Sequence, residues 1–355
     1  VGLTHRPPWT SQLQRLVDLQ LAFRSDTSRS WLFSSIEPVF FMLLVLLSSP
    51  LALWAGEAMP ARLPADLRVQ ELPTPGLAAP LTMVHLTDVH IGWGLSDYGT
   101  PGYDDQPAGE EGVAAQRLRQ AVAWVNANAT TEGIALVVVT GDITDSAERS
   151  EFLMARMILD ELAAPYAIMP GNHDIWPYTA GDEAPAATGT QVFAEIFAEP
   201  LQRLAQVSAA WDDGRNLGDS LSLQNYAFVL AGVRFVALDL NTRDHAILGN
   251  PGVCDPACSF LPDESRSWLQ QETTATPQLP VVVLSHFPLW PVPIATFLPS
   301  EWRKLQDVLA SAPFSVLWLS GHLHLWWTGS QGSTTVAVTA AAYEGAVRLV
   351  RLVPQ

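Results

Sequence analysis

Ile134-Ala135-Leu136-Val137-Val138-Val139-Thr140-Gly141-Asp142-Ile143-Thr144-Asp145 is the stretch on which the reading of the chain turns. An unbroken apolar run with three consecutive valines reads as a strand buried on both faces. Gly141 allows a tight turn behind it, and the turn leaves two carboxylates, Asp142 and Asp145, at the edge of a sheet. By itself this is ambiguous, because Asp142, Asp145 or Ser146 could equally cap a helix beginning near Ala147.

The same form recurs along the chain. Leu81 to Thr87 runs into Asp88-Val89-His90, and Tyr166 to Met169 into Pro170 and Gly171-Asn172-His173-Asp174. Val281 to Ser285 is followed by His286, and Ser315 to Ser320 by Gly321-His322-Leu323-His324. Any one of these is common, and a His-x-His pair can serve one ion or two. Together, polar clusters at the carboxyl ends of successive apolar segments would be costly unless they meet, since buried polar groups need partners. His85, inside the first apolar run, reads as a hydrogen-bonded core residue without a functional role.

Helical segments are expected at 112–128, 147–162, 191–207, 262–274 and 300–310, with a hairpin from Tyr226 to Leu240 around Ala231-Gly232. Further strands are expected at Trp326 to Thr328, Thr335 to Thr339 and Ala346 to Leu352. Strands alternating with helices predict an α/β fold with parallel strands. Three long connections, Gly92 to Glu111, Ile175 to Thr190 and Asn241 to Leu261, adjoin the polar motifs and suit binding loops.

Composition sets outer bounds. With 355 residues of which 48% are hydrophobic, the chain can bury a large core. Its net charge of -17, from 36 acidic against 19 basic residues, argues against nucleic acid held by its phosphates. Segment 1–38 carries Arg6, Arg15, Arg24 and Arg29, and 39–55 is almost wholly apolar, at the lower limit of about 17 residues for a membrane-spanning helix. It reads as a transmembrane anchor or a signal-peptide core, a buried helix being the alternative. Basic residues before the apolar run place everything after it outside the cytoplasm. Segment 56–80, with Pro60, Pro64, Pro73, Pro75 and Pro80, reads as a linker, and 81–355 as the globular domain. Cys254 and Cys258 are too few for a zinc site, and outside the cytoplasm a local disulfide between them is expected.

The ordered set Asp88-x-His90, Gly141-Asp142-x-x-Asp145, Gly171-Asn172-His173-Asp174, His286 and Gly321-His322-x-His324 resembles the calcineurin-like metallophosphoesterase superfamily. The resemblance implies a four-layer double β-sandwich flanked by helices, with two transition-metal ions of the Mn, Fe or Zn type. It implies that Asp88, His90, Asp142 and His324 hold one ion and that Asp142, Asn172, His286 and His322 hold the other. It also implies that His173 gives a proton to the leaving alkoxide and that Asp145 orients His173. Asp174, where the family often has Glu, stands behind the site. A hydroxide bridging two ions about 4 Å apart would be the nucleophile.

One departure narrows the activity. Where the protein Ser/Thr phosphatases of the family continue with Arg-Gly, Asp145 is followed by Ser146-Ala147. A phosphate-clamping Arg is missing there. A bacterial-type phosphodiesterase is therefore expected, since a diester carries one negative charge and needs fewer cationic partners. A phosphomonoesterase, a nuclease of the same fold and a non-catalytic binding module remain the alternatives. The expected partner is a small phosphoester such as a nucleotide or a lipid headgroup, the latter suiting an uncleaved segment 39–55. Trp93, Trp176, Trp290, Trp326 and Trp327 lie beside the motifs and could wall a leaving group.

Overall fold

Strands such as Ile134–Thr140, in which Val137, Val138 and Val139 are all buried, need cover on both faces. The computed structural model describes residues 64–93, 112–175, 189–217, 223–241, 259–275, 278–289, 297, 299–312 and 315–355. The chain divides into Val1–Pro60, which lies outside the described residues, and Ala61–Gln355, whose architecture follows. Segments 1–38 and 39–55, the Cys254 and Cys258 loop, Trp176 and Trp290 also lie outside them. Among the described residues no helix is long and apolar enough to cross a membrane.

Two sheets carry the fold. The first has the order β1-β12-β2-β3-β4, with β1 at Asp66–Thr74, β2 at Leu81–Leu86, β3 at Ile134–Thr140, β4 at Tyr166–Met169 and β12 at Ala346–Pro354. In the second the order is β10-β11-β9-β8-β7-β6-β5. Its strands are β5 (Ala210–Asp212), β6 (Tyr226–Leu230), β7 (Val233–Ala237), β8 (Val281–Leu284), β9 (Ser315–Ser320), β10 (Trp327–Gln331) and β11 (Thr334–Val338). β2, β3 and β4 run parallel, as do β7, β8, β9 and β11. Antiparallel pairs flank these runs, so the sheets are mixed rather than purely parallel.

Alternation along the second sheet sorts its side chains into two cores. Phe235, Val282, Leu284, Leu317, Leu319 and Ala337 join one cluster with β2, β3 and β4 of the first sheet. Val236, Val281, Val283, Trp318 and Val336 face the other way, onto Trp268, Leu269 and Leu305. Those residues belong to helices α4 (Asp263–Thr274) and α5 (Pro299–Ala310). On the outer face of the first sheet lie α1 (Val113–Glu132), α2 (Arg149–Leu159) and α3 (Gly189–Val207), which bring Leu118, Val122, Phe152, Phe193 and Phe197 into the first cluster. Two mixed sheets with helices packed on them thus build this unit.

Two local readings need correction. The stretch read as linker contains β1, which pairs in parallel with β12 from Asp66↔Ala346 to Thr74↔Pro354. Its Pro73 is tolerated because an edge strand has a ladder on one side only. Helix α2 starts at Arg149 with Glu148 at its N-cap, in a capping box in which each glutamate side chain accepts the other's backbone N–H, that of Glu148 reaching Glu151 Oε2 at 3.3 Å. Neither Asp142, Asp145 nor Ser146 is the cap.

His85 is the hydrogen-bonded core residue that was expected. On β2 and fully buried, it meets the Thr140 hydroxyl through Nε2 (2.7 Å) and the Thr339 hydroxyl through Nδ1 (2.8 Å). Burial and the nearby Arg348 guanidinium push its imidazole down to about 3. The folded protein therefore keeps His85 neutral where the unfolded chain, with a pKa of about 6.5, already binds a proton. Its contribution is complete above about pH 6.5 and is lost as pH falls toward 3, with a slope of about 1.4 kcal/mol per pH unit. In urea unfolding at steps of pH, His85→Gln is expected to be the less stable protein near neutrality. The gap to wild type should narrow on acidification, and a constant gap would contradict the assignment.

Candidate metal centre

Parallel strands end together, and here the ends carry the polar motifs. Asp88 and His90 follow β2, Asp142 follows β3, Asn172 and His173 follow β4, His286 follows β8, and His322 and His324 follow β9. Backbone bonds lock the exits to one another: Asp88 N–H donates to Gly141 O (3.0 Å), and Gly321 N–H to His286 O (3.1 Å). Local geometry is strained where function is expected. Asp88, His90, Asp142, His322 and His324 have φ of 52°, 48°, 47°, 68° and 52°, a left-handed region that non-glycine residues adopt only when their surroundings enforce it. Two glycines make the approach possible. A Cβ on Gly171 would lie 2.2 Å from Asp142 Oδ1, and one on Gly321 would lie 2.2 Å from Asp88 Oδ2.

The side chains converge on Asp142 from two sides. Asp88, His90, Asp142 and His324 each place a donor atom within 4.8 Å of the others, and Asp142, His286 and His322 do the same. Asn172 joins the second group, with its Oδ1 3.1 Å from His286 Nε2 and 3.0 Å from His322 Nδ1. Asp142 Oδ2 lies 3.2 Å from His286 Nε2 and 3.6 Å from His90 Nε2. Its other oxygen accepts the backbone N–H of His173 (2.9 Å).

The chemistry of this donor set fits a pair of cations. His286 donates its Nδ1 proton to the Thr140 carbonyl (2.9 Å), so a neutral ring turns an unshared pair at Nε2 toward Asp142, Asn172 and His322. His90 donates Nδ1–H to Asp145 Oδ1 (2.8 Å) and turns Nε2 toward His324 Nε2, 3.3 Å away. Lone pairs facing lone pairs in a buried site repel, and positive charge among them resolves the conflict. The local field agrees. Burial alone would lower His286, but Asp142 and Asp88 outweigh it and push the imidazole up to about 9, so the carboxylates draw positive charge to Nε2, a proton or a cation in the proton's place. Burial would likewise raise Asp142, yet His286, His173 and His90 hold its carboxyl well below the usual range. Mixed carboxylate, amide and imidazole donors suit Mn, Fe or Zn without choosing among them.

Around the donors the structure separates roles that the motifs left merged. The Asp145 carboxylate was expected to orient His173, but it lies 3.8 Å from His173 Nδ1 and 2.8 Å from His90 Nδ1. His173 is held instead by the Asp145 backbone carbonyl, at 2.7 Å. Asp174 takes no place among the donors. Its carboxylate accepts the backbone N–H groups of Ile143 (3.0 Å), Thr144 (2.8 Å) and Gly171 (2.8 Å), tying the β3 and β4 exits together.

Tyr343 escaped the sequence reading. Its hydroxyl lies 3.4 Å from His324 Nδ1, and its ring lies 5.3 Å from His90 and 5.6 Å from Trp93. It arrives on a short 3-10 turn before β12 with no motif to announce it. Of the tryptophans proposed as a wall, Trp93 is placed for that role. Trp326 packs against arginines and Trp327 against the second core.

The sequence model of the calcineurin-like phosphoesterase family matches residues 81–325, well over half of the chain and the span that holds every donor named above. The chain belongs to the calcineurin-like phosphoesterases. That family uses dinuclear metal sites, and the two clusters sharing Asp142 are able to bind metal. A glycerophosphodiester phosphodiesterase, GpdQ, from Enterobacter lignolyticus (strain SCF1) is 24% identical over 247 residues, covering 69% of this chain and 71% of that protein. A dimetal phosphatase from Danio rerio has the same fold. It superposes with a TM-score of 0.56 at 18% identity, covering 77% of this chain and 93% of that one.

Among the described residues Asp145 Oδ2 is buried without a hydrogen-bond partner, so the Asp145 carboxylate rests on its contact with His90. Removing such an outer partner of a ligating histidine typically costs about 10- to 100-fold in metal affinity. Asp145→Ala is expected to show a loss of that size in a metal titration by calorimetry. Wild-type affinity would remove Asp145 from the metal centre.

Proposed function

We propose that this calcineurin-like phosphoesterase hydrolyses a small phosphodiester in preference to a monoester. Asp88, His90, Asp142 and His324 would hold one metal ion, and Asp142, Asn172, His286 and His322 the other. The observation that carries this reading is the convergence of both donor groups on the one carboxylate of Asp142. Two ions bound there would acidify water to a nucleophile near neutral pH and neutralise charge on the phosphoryl oxygens.

The chain's own residues supply position and a proton. His173 stands at the mouth of the site with a quarter of its side chain exposed (24%), while Asp145 beside it is fully buried. With Nδ1–H committed to the Asp145 carbonyl, Nε2 is the nitrogen that can present a proton to a departing alkoxide. Trp93, 42% exposed beside His90 and Tyr343, offers an apolar face for the leaving group.

Two things favour a diester. At the place where a guanidinium would clamp a dianion, the Ser146 hydroxyl faces the buried carboxylates of Glu148 (2.9 Å) and Glu151 (3.3 Å). Ser146 brings no positive charge to that place, and a monoester dianion depends on one more than a diester monoanion does. The name of the GpdQ relative points the same way. A location outside the cytoplasm completes the proposal and rests on the basic segment 1–38 ahead of the apolar run 39–55. A reporter fused after Ala61 should be active only in its extracytoplasmic form, and cytoplasmic activity would reverse the placement.

Activity is tested on the metal-loaded chain with an aryl phosphodiester and an aryl phosphomonoester. A higher kcat/KM on the diester is expected. A preference for the monoester would reverse the specificity, and inactivity on both would end the enzymatic reading. The role of His173 has its own signature. His173→Ala should cost about 10²- to 10⁴-fold with an alkyl leaving group and far less with nitrophenolate, which departs without a proton. Equal losses on both substrates would assign His173 to structure.

A further inference from the structure

Away from the metal centre, the junction of β1, β12 and β10 carries an open cavity of about 260 Å³ lined by Arg68, Val69, Gln70, Trp326, Trp327, Thr328 and Arg348. None of these is a metal donor. In a chain with a net charge of -17, a cavity whose only charged lining residues are two arginines stands apart. Arg68 and Arg348 are direct partners in the β1–β12 register, an arrangement of like charges that weakens a sheet when nothing offsets it.

Their placement is built rather than incidental. The Trp326 indole sits under both guanidiniums, 4.5 Å from Arg68 and 5.0 Å from Arg348. Its Nε1–H is fixed by the Asp66 carboxylate, which also lies 3.5 Å from Arg68. Arg348 is 4% exposed, and its hydrogen-bond partners among the described residues are neutral: Thr339 Oγ1 (2.8 Å), Val338 O (2.6 Å), Gln70 Oε1 (2.5 Å) and Thr328 Oγ1 (3.4 Å). Among the described residues no carboxylate reaches ion-pair distance of it. Burial and Arg68 together push Arg348 down to about 10, so it still carries its charge at neutral pH. A buried cation without a counter-charge is the rarer arrangement, since buried charges are ordinarily paired. With one carboxylate against two guanidiniums, the groove keeps a net positive charge.

We propose that this groove is a second ligand site, which takes a small oxyanion, a phosphate or carboxylate group, on the guanidiniums of Arg68 and Arg348. Among the described residues Arg68 donates to Asp66 through Nε, which leaves its planar fork to turn two N–H donors to such a group. Arg348, four of whose five N–H groups are already donated, contributes its buried charge. The Thr328 hydroxyl and the Gln70 amide line the same cavity and add neutral donors. Both faces of the groove are held by strands, which keeps the donors in place before anything binds. Aromatic stacking is not part of the recognition, because Trp326 is already taken up by the arginines.

The proposal is independent of the reaction at the metal centre, and its test reads binding. Labelled inorganic phosphate is dialysed to equilibrium against the metal-loaded full chain, wild type and Arg68→Gln. Arg68 is half exposed, so the variant leaves the core intact. Wild type should bind phosphate in two classes, one of them at the metals. R68Q should weaken the other class by at least about tenfold, the loss expected for one charge-assisted contact, with metal content unchanged. Competition by acetate, by glycerol 3-phosphate and by phosphatidylglycerol vesicles tells a carboxylate, a free phosphate and a lipid headgroup apart. Coincident isotherms for wild type and R68Q would overturn the site.

Discussion

Everything at the carboxyl edge of the two sheets depends on one buried carboxylate. Asp142 is 2% exposed: one oxygen accepts the backbone N–H of His173, and the other faces Nε2 of His286 at 3.2 Å and Nε2 of His90 at 3.6 Å. Burying such a group is unfavourable unless it is both paired and hydrogen-bonded. The surrounding exits can be read as the means of meeting that condition. Asp174 pins Ile143, Thr144 and Gly171, which holds the Asp142 turn against the β4 exit. Gly171 then has no room for a side chain, since its Cβ would collide with Asp142 itself. The constraint runs from charge to backbone to sequence, and it explains glycine at 171 and Asp at 174 without any appeal to catalysis.

The strand ends were legible because two signals coincide there. Apolar runs such as Val281–Leu284 are short, uninterrupted and followed at once by a polar residue that a core would reject. Position in the fold and chemical type are therefore written in the same few letters. What stayed illegible lacked that coincidence. β1 carries Leu67, Arg68, Val69, Gln70 and Glu71, a weak alternation between prolines, and its identity as a strand comes from β12, far away in sequence. Tyr343 reaches His324 from a turn that resembles any other.

Asp145 shows a different limit. Its motif placed it beside a histidine, but two histidines are within reach, and a sequence cannot say which atom faces which. The structure divides the residue: its carboxylate serves His90 and its carbonyl serves His173. One residue can hold two roles, because backbone and side chain point to different neighbours. Trp326 is the converse. Its closeness in sequence to His324 suggested the metal site, yet the chain turns into β10 there and carries the indole onto Arg68 and Arg348.

The distribution of strain suggests how the halves of the fold cooperate. Left-handed φ values gather at Asp88, His90, Asp142, His322 and His324, while the strands behind them pair in parallel ladders whose register shifts, at Thr82/Met83 and Val281/Val282, lie at the opposite strand ends. Each such residue costs on the order of 1–3 kcal/mol, and persists only where packing over-determines it. Here the cost is offset by two cores, one between the sheets and one beneath α4 and α5. Metal affinity and fold stability are then linked quantities. Ions engaging the donors would relieve the repulsion among them, and a well-packed core would hold the donors together without them. The strained geometry is in this sense a property of the strand ends, and its permanence is a property of the sheets.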